Sequence, residues 1–214
     1  MINFELIVLV VIAFSVAGFV KGAIGLGFST IALPILVLGI GIKASLPLVL
    51  VPSLLSNVVV MRKAGGFVSA LKEYQVLFAM TVLGVVVGLM ILGAIETGSA
   101  AQVLGVFLVI NAAHSLWRSN KMASWRLSLL VQSSVGVATG VVNGITGSQM
   151  MPLLPYLISL DLPPQRLVQV SNISFTLSSL VMFVGLSQIG IMTMEALVAS
   201  IVGTPAMYVG IVIG

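Results

Sequence analysis

Long apolar runs alternate with short polar punctuation along this chain, and the runs are too long and too uniformly apolar for half-buried strands or amphipathic surface helices. Bounded by charge, Gly or Pro, they define about nine hydrophobic elements, near residues 4–22, 27–41, 44–61, 74–95, 99–117, 127–143, 150–160, 164–185 and 194–214. A helix needs about 20 apolar residues to cross a bilayer, so most of these runs are spans. The second and seventh are too short, follow glycine-rich stretches and contain proline, Pro34 in one and Pro152 and Pro155 in the other. Both are expected to be broken or re-entrant helices. Leu6 to Val20 has the length of a signal-peptide core, but Glu5 precedes it without Lys or Arg and no small-residue cleavage site follows. It reads as the first membrane helix.

Composition sharpens this to an all-α polytopic membrane protein. Of 214 residues 59% are hydrophobic, and only 9 basic and 5 acidic side chains are present, too few to cover a water-facing surface. A soluble enzyme domain, a nucleic-acid-binding module and a disordered tail are excluded together, and the lipid bilayer is the expected partner. The absence of cysteine removes disulfides, thiolate metal sites and a cysteine nucleophile. The net charge of +4 reports orientation rather than a polyanionic partner, because Arg62, Lys63 and Lys72 follow the third element and Arg118, Lys121 and Arg126 follow the fifth. Both loops are expected in the cytoplasm, whereas the connection between the fourth and fifth elements carries Glu96 and no base.

The chain repeats itself. Gly18-Phe-Val-Lys-Gly22-Ala-Ile-Gly25 returns as Gly140-Val-Val-Asn-Gly144-Ile-Thr-Gly147; Leu48 to Ser53 faces Leu167 to Asn172, and Gly84/Gly88 faces Gly210/Gly214. This divides the chain into a first membrane repeat (1–117), a basic cytoplasmic loop (118–126) and a second repeat (127–214). The basic loop after the third element has as its counterpart Ser187 to Glu195, which contains Glu195 and no base. Inverted sidedness follows, as in transporters built from inverted repeats with broken helices. A parallel repeat with re-entrant short elements is the alternative. The chain ends at Gly214 where the first half supplies a further helix, 99–117, so the second repeat is expected to lack its last helix through truncation.

For Gly84/Gly88 the expected role is close helix packing. The motifs Gly18/Gly22/Gly25/Gly27 and Gly140/Gly144/Gly147 each lead into polar residues, Ser29 and Thr30 or Ser148 and Gln149, and then into a short proline-containing element. That order describes a chain that unwinds and restarts, leaving bare N–H groups and a positive helix end suited to an anion. Lys21 lies inside the first motif, either snorkelling to the interface or facing a central site, and its repeat partner is Asn143. Gln169, Asn172, Thr176 and Ser179 share one helix face, and Ser53 and Asn57 match Asn172 and Thr176 in the first repeat. Pathway lining is assigned to Gln169 and Asn172, interhelical hydrogen bonding to the rest. The candidate substrate site is therefore Lys21, Gly22, Gly25, Gly27, Ser29, Asn143, Gly144, Gly147, Ser148, Gln149, Gln169 and Asn172, with no cofactor and no metal. His114, Trp117 and Trp125 read as interfacial, and Glu5, Glu73, Glu96, Asp161 and Glu195 fall at element ends, none placed to carry a coupling proton or sodium.

These glycine motifs, followed by Pro34 in one copy and by Pro152 and Tyr156 in the other, resemble the TauE/SafE sulfite exporter family over nearly the whole chain. The second copy departs in carrying Ser148-Gln149 where a further glycine is usual. The resemblance implies a multi-pass transporter of the bacterial inner membrane for sulfite, sulfonates or related small organosulfur anions. Outward movement of an anion gains about 2.3 kcal/mol per 100 mV of inside-negative potential, so an exporter of this kind needs no coupling ion. A channel or carrier for a neutral or cationic solute is the runner-up. An intramembrane serine hydrolase using Ser148 and His114 requires the two to meet, and their elements place them far apart. An ATP-driven pump lacks its phosphate-binding loop. Self-association into a homo-oligomer stays open.

Overall fold

The protein, in a computed structural model, is described over residues 4–117 and 128–214. Among the described residues every regular element is an α-helix, in the order α1 (Phe4–Ile24), α2 (Phe28–Ile40), α3 (Ile42–Ala64), α4 (Phe67–Glu73), α5 (Gln75–Ala94), α6 (Thr97–Trp117), α7 (Leu129–Thr146), α8 (Leu153–Ser159), α9 (Pro164–Gln188) and α10 (Met194–Ile213). Six of these, α1, α3, α5, α7, α9 and α10, are long and apolar enough to cross a membrane. Ten helices are described where about nine elements were expected, and the long spans lie within a few residues of their expected bounds. One helix was not foreseen: α4 is only seven residues long, and its Lys72 and Glu73 give it the look of a loop.

Lys43 Nζ donates to the Ile95 carbonyl at 2.8 Å, and Leu6, Ile40, Lys43 and Glu195 line one surface hollow. The start of α1, the end of α2, the start of α3, the end of α5 and the start of α10 therefore share one end of the bundle. It carries Glu5, Glu96 and Glu195 against Lys43 and is called here the acidic end. At the other end Arg166 of α9 donates to the Gly66 carbonyl at 3.2 Å, bringing the α3–α4 turn beside the start of α9. With Arg62, Lys63, Lys72 and Arg166 it is the basic end.

Helices α1 and α2 form a hairpin that enters from the acidic end and turns back. Phe14 and Phe28 stack at 5.4 Å, and further out a methyl group on Gly39 would meet Leu9 Cδ2 at 2.5 Å. Gly25 (φ +74°) and Gly27 (φ +87°) make the turn. A left-handed backbone of this kind strains any residue with a Cβ. The second hairpin, α7 and α8, starts at the basic end, where Gly136 lies against Leu77 and Met80 near the start of α5. It breaks at Gly147 (φ +71°), the C-cap of α7. Both breaks are buried in the bundle interior: Leu26, Gly27, Gly147, Ser148 and Gln149 all lie out of reach of solvent.

Glycine packing locks each hairpin to a helix of the other half. A methyl group at Gly18 or Gly22 would collide with the carbonyl oxygens of Met207 and Ile211 on α10, and one at Gly210 with α1. The same arrangement joins α7 to α5, where Gly140 faces Thr81 and Gly84, and Gly144 faces Val85 and Gly88. The packing role expected of Gly84/Gly88 is what the structure shows. Lipid tails are as apolar as Leu, so helices associate by such close backbone contact rather than by apolar burial. Proline inside α3 adds a second tie. Pro52 has no N–H to give the Leu48 carbonyl, and Ser200 Oγ of α10 donates to it instead at 2.7 Å.

Candidate functional site

Lys21 sits in the last turn of α1, just before the Gly25–Gly27 break, with no solvent exposure. Its Nζ donates to Asn57 Oδ1 of α3 at 2.7 Å and to Asn172 Oδ1 of α9 at 2.5 Å. The Phe175 ring lies 5.8 Å from the same nitrogen. Lys21 thus points inward and does not snorkel. Asn57 stands seven residues before the end of α3, so the ammonium lies about 10 Å inside the basic end at 1.5 Å per residue. Among the described residues no carboxylate pairs with it. A buried cation answered only by neutral oxygens is electrostatically incomplete, because an interior charge is tolerated when paired.

The surroundings suit a negative guest. Helix α2 begins at Gly27, whose backbone gives its first turn no side-chain cap. The N–H groups of Phe28, Ser29 and Thr30 accordingly have no acceptor within the helix and carry its positive dipole end. Ser29 Oγ donates to Ser53 Oγ at 3.2 Å. Lys21, Gly27, Ser29, Thr30, Asn57 and Gln149 border a void of about 10 Å³, room for roughly one water. The protein is therefore closed around its cation. A larger hollow of about 450 Å³ between α5 and α9 is lined by the apolar Val86, Met90, Leu180 and Val184.

The two breaks touch. Thr30 Oγ1 and Ser148 Oγ are 3.4 Å apart, and a methyl group at Gly27 would reach the Met150 sulfur at 3.6 Å. Gln149 Nε2 donates to Ser179 Oγ at 3.4 Å across to α9. Asn172 is the most constrained member, since its Nδ2 donates to Gly25 O at 3.0 Å and Val168 O at 2.7 Å while Oδ1 takes the Lys21 proton. It ties the first break to α9.

Of the twelve residues singled out from sequence, the structure gathers Lys21, Gly27, Ser29, Ser148, Gln149 and Asn172 at this junction, with Gly25 and Gly147 shaping the two turns. Gly22 and Gly144 face neighbouring helices instead. Asn143 and Gln169 are fully buried, yet neither side chain makes a hydrogen bond among the described residues. Such atoms cost about 1–3 kcal/mol each when left dry. Asn57 was placed among packing residues by the sequence but is a direct partner of Lys21, and Thr30 and Phe175 join the site without having been assigned to it. The side chains of His114 and Trp117, and Trp125 with the bases Arg118, Lys121 and Arg126, lie outside the described residues.

A family model described as sulfite exporter TauE/SafE matches residues 10–214. The chain belongs to this family. It is a multi-pass membrane protein of a transporter family, the membership indicated by the glycine motifs and proline-containing short helices. No curated protein and no solved structure matches it.

Proposed function

We propose that the chain is a secondary transporter, working as an exporter, that carries sulfite or a small organosulfur anion out of the bacterial cell across the inner membrane by alternating access. The single observation that supports this best is Lys21, a fully buried ammonium held by two amide oxygens and, among the described residues, no carboxylate, beside the uncapped start of α2. An oxyanion placed there would supply the missing countercharge and accept from backbone N–H groups and hydroxyls. Its entry displaces amide oxygens rather than breaking an ion pair.

Inverted repeats account for the crossed pairing, with α1 on α10 and α7 on α5 through matching glycines, and for hairpins that start at opposite ends of the bundle. Two such halves rocking about the α3–α9 contact would open the junction to one side and then the other. Under the positive-inside rule the bases Arg62, Lys63, Lys72 and Arg166 support a cytoplasmic basic end. A void with room for about one water favours a carrier over an open channel.

The test is flux of labelled sulfite or a short sulfonate from proteoliposomes. Efflux should accelerate when an inside-negative potential is imposed, by the roughly 2.3 kcal/mol per 100 mV that acts on one charge. Flux indifferent to voltage contradicts uncoupled anion export.

A further inference from the structure

Several buried polar side chains lack a hydrogen-bond partner among the described residues. Others are satisfied, as in Ser45 to the Gly41 carbonyl, Ser200 to the Leu48 carbonyl and Thr81 to the Leu77 carbonyl. On the side of the basic end, Tyr156 Oη, Gln132 Oε1, Thr139 Oγ1 and both amide atoms of Gln169 are buried without a hydrogen-bond partner among the described residues. Tyr74 and Tyr156 share one cluster with Val135 and Ile173. Gln132 and Thr139 stand one turn either side of Val135 on α7, and Gln169 one turn before Ile173 on α9, so their faces adjoin that cluster. Buried polar groups without a protein partner call for a physical explanation, and a conformation that opens them to water supplies one.

One contact closes this region. The Arg166 guanidinium pairs with Glu73, donates to Ser69 Oγ at 2.8 Å and to the Gly66 carbonyl at 3.2 Å, and lies 5.8 Å from the Tyr74 ring. It straps α4 to the start of α9, whose Asn172 holds Lys21 less than two turns further on.

We propose that the Arg166–Glu73 strap is the closed basic-side gate of the route to Lys21, and that the groups without a protein partner, from Tyr156 through Gln132, Gln169 and Thr139, line that route in its closed form. The proposal rests on Lys21 as the substrate site. Separation of α4 from α9 would admit water and anion to groups already lacking partners, and an anion arriving at the basic end meets Arg166 first and competes with Glu73 for it.

The absence of native cysteine makes the test direct. A Thr139→Cys protein is exposed in oriented membrane vesicles to a membrane-impermeant thiol reagent from the basic-loop side, with and without Glu73→Gln. Glu73→Gln should raise the labelling rate roughly fivefold, the factor a part-exposed ion pair can impose on an equilibrium. Glu73→Asp, which keeps the carboxylate, should stay near the slow rate. Should Glu73→Gln fail to fold, Ser69→Ala removes another arm of the strap and should act in the same direction. Equal rates with and without the strap, or labelling only from the acidic-end side, overturn the gate. Labelling needs no transport, so faster labelling in a protein that moves no anion would uphold the gate while removing the transport reading.

Discussion

Lys21 and Asn172 lie in different halves of the chain, yet a 2.5 Å hydrogen bond joins them in the bundle interior. The same Asn172 amide grips the Gly25 carbonyl at the helix break. One side chain therefore couples the cation, the broken hairpin and the long helix that reaches the basic end. That coupling is what an alternating-access carrier requires, since movement of α9 has to be felt at the substrate.

Replacing Lys21 with Met should abolish anion flux and leave thermal stability within about 1–2 kcal/mol of the parent. Loss of two charge-assisted hydrogen bonds is offset by relief from burying an unpaired charge. Circular dichroism melts and flux on the same preparation check both halves; unimpaired flux contradicts the assignment of Lys21.

Asn172→Asp gives up the two hydrogen bonds that Nδ2 donates, and it should weaken anion binding by at least about tenfold, because a resident carboxylate beside Lys21 supplies the countercharge that the substrate otherwise brings. Asn172→Ala, which strips three hydrogen bonds, should destabilise more than Asn57→Ala, which strips one. Isothermal titration with sulfite and chemical melts of the three variants measure this. Equal sulfite affinity in the parent and Asn172→Asp argues against an anion at Lys21.

Contact between the two breaks can be trapped. With Thr30 and Ser148 both replaced by Cys, whose sulfurs would stand near the positions of hydroxyls now 3.4 Å apart, mild oxidation should form a disulfide after a small backbone shift. Transport should stop and return on reduction. Failure to cross-link under oxidation argues that the breaks do not meet.

The glycines separate into two kinds by the cost of a methyl group. Gly140→Ala drives a Cβ into the α5 backbone at Thr81 and Val85 and should cost about 1–3 kcal/mol. Gly105→Ala in α6 meets nothing within 4 Å among the described residues and should be neutral or stabilising by up to about 1 kcal/mol. Thermal melts of the two proteins in one detergent decide it.

Much of this was legible in the sequence, because apolar length and interrupted glycine motifs are imposed by the bilayer itself. Hydropathy located the six long spans, and glycine followed by hydroxyls and proline located both breaks. Spacing alone could not divide the labour inside a motif: Gly22 and Gly144 serve close packing while Gly25, Gly27 and Gly147 turn the chain, and the difference lies in backbone angle and in which helix stands opposite. Asn57 was undervalued because one helical polar residue looks the same whether it bonds a neighbour or holds a cation. Arg166 and α4 were invisible as a pair, since a seven-residue helix has no periodicity to read and its partner is supplied by the fold.

The most direct test is thermal stabilisation of the purified protein by sulfite, sulfate, thiosulfate and short sulfonates, run in parallel on Lys21→Met. At a hundred times its dissociation constant a bound anion should add about 2.7 kcal/mol to the parent and nothing to the variant. Equal stabilisation of both proteins, or of neither by any anion across the series, would contradict a substrate site at the buried ammonium.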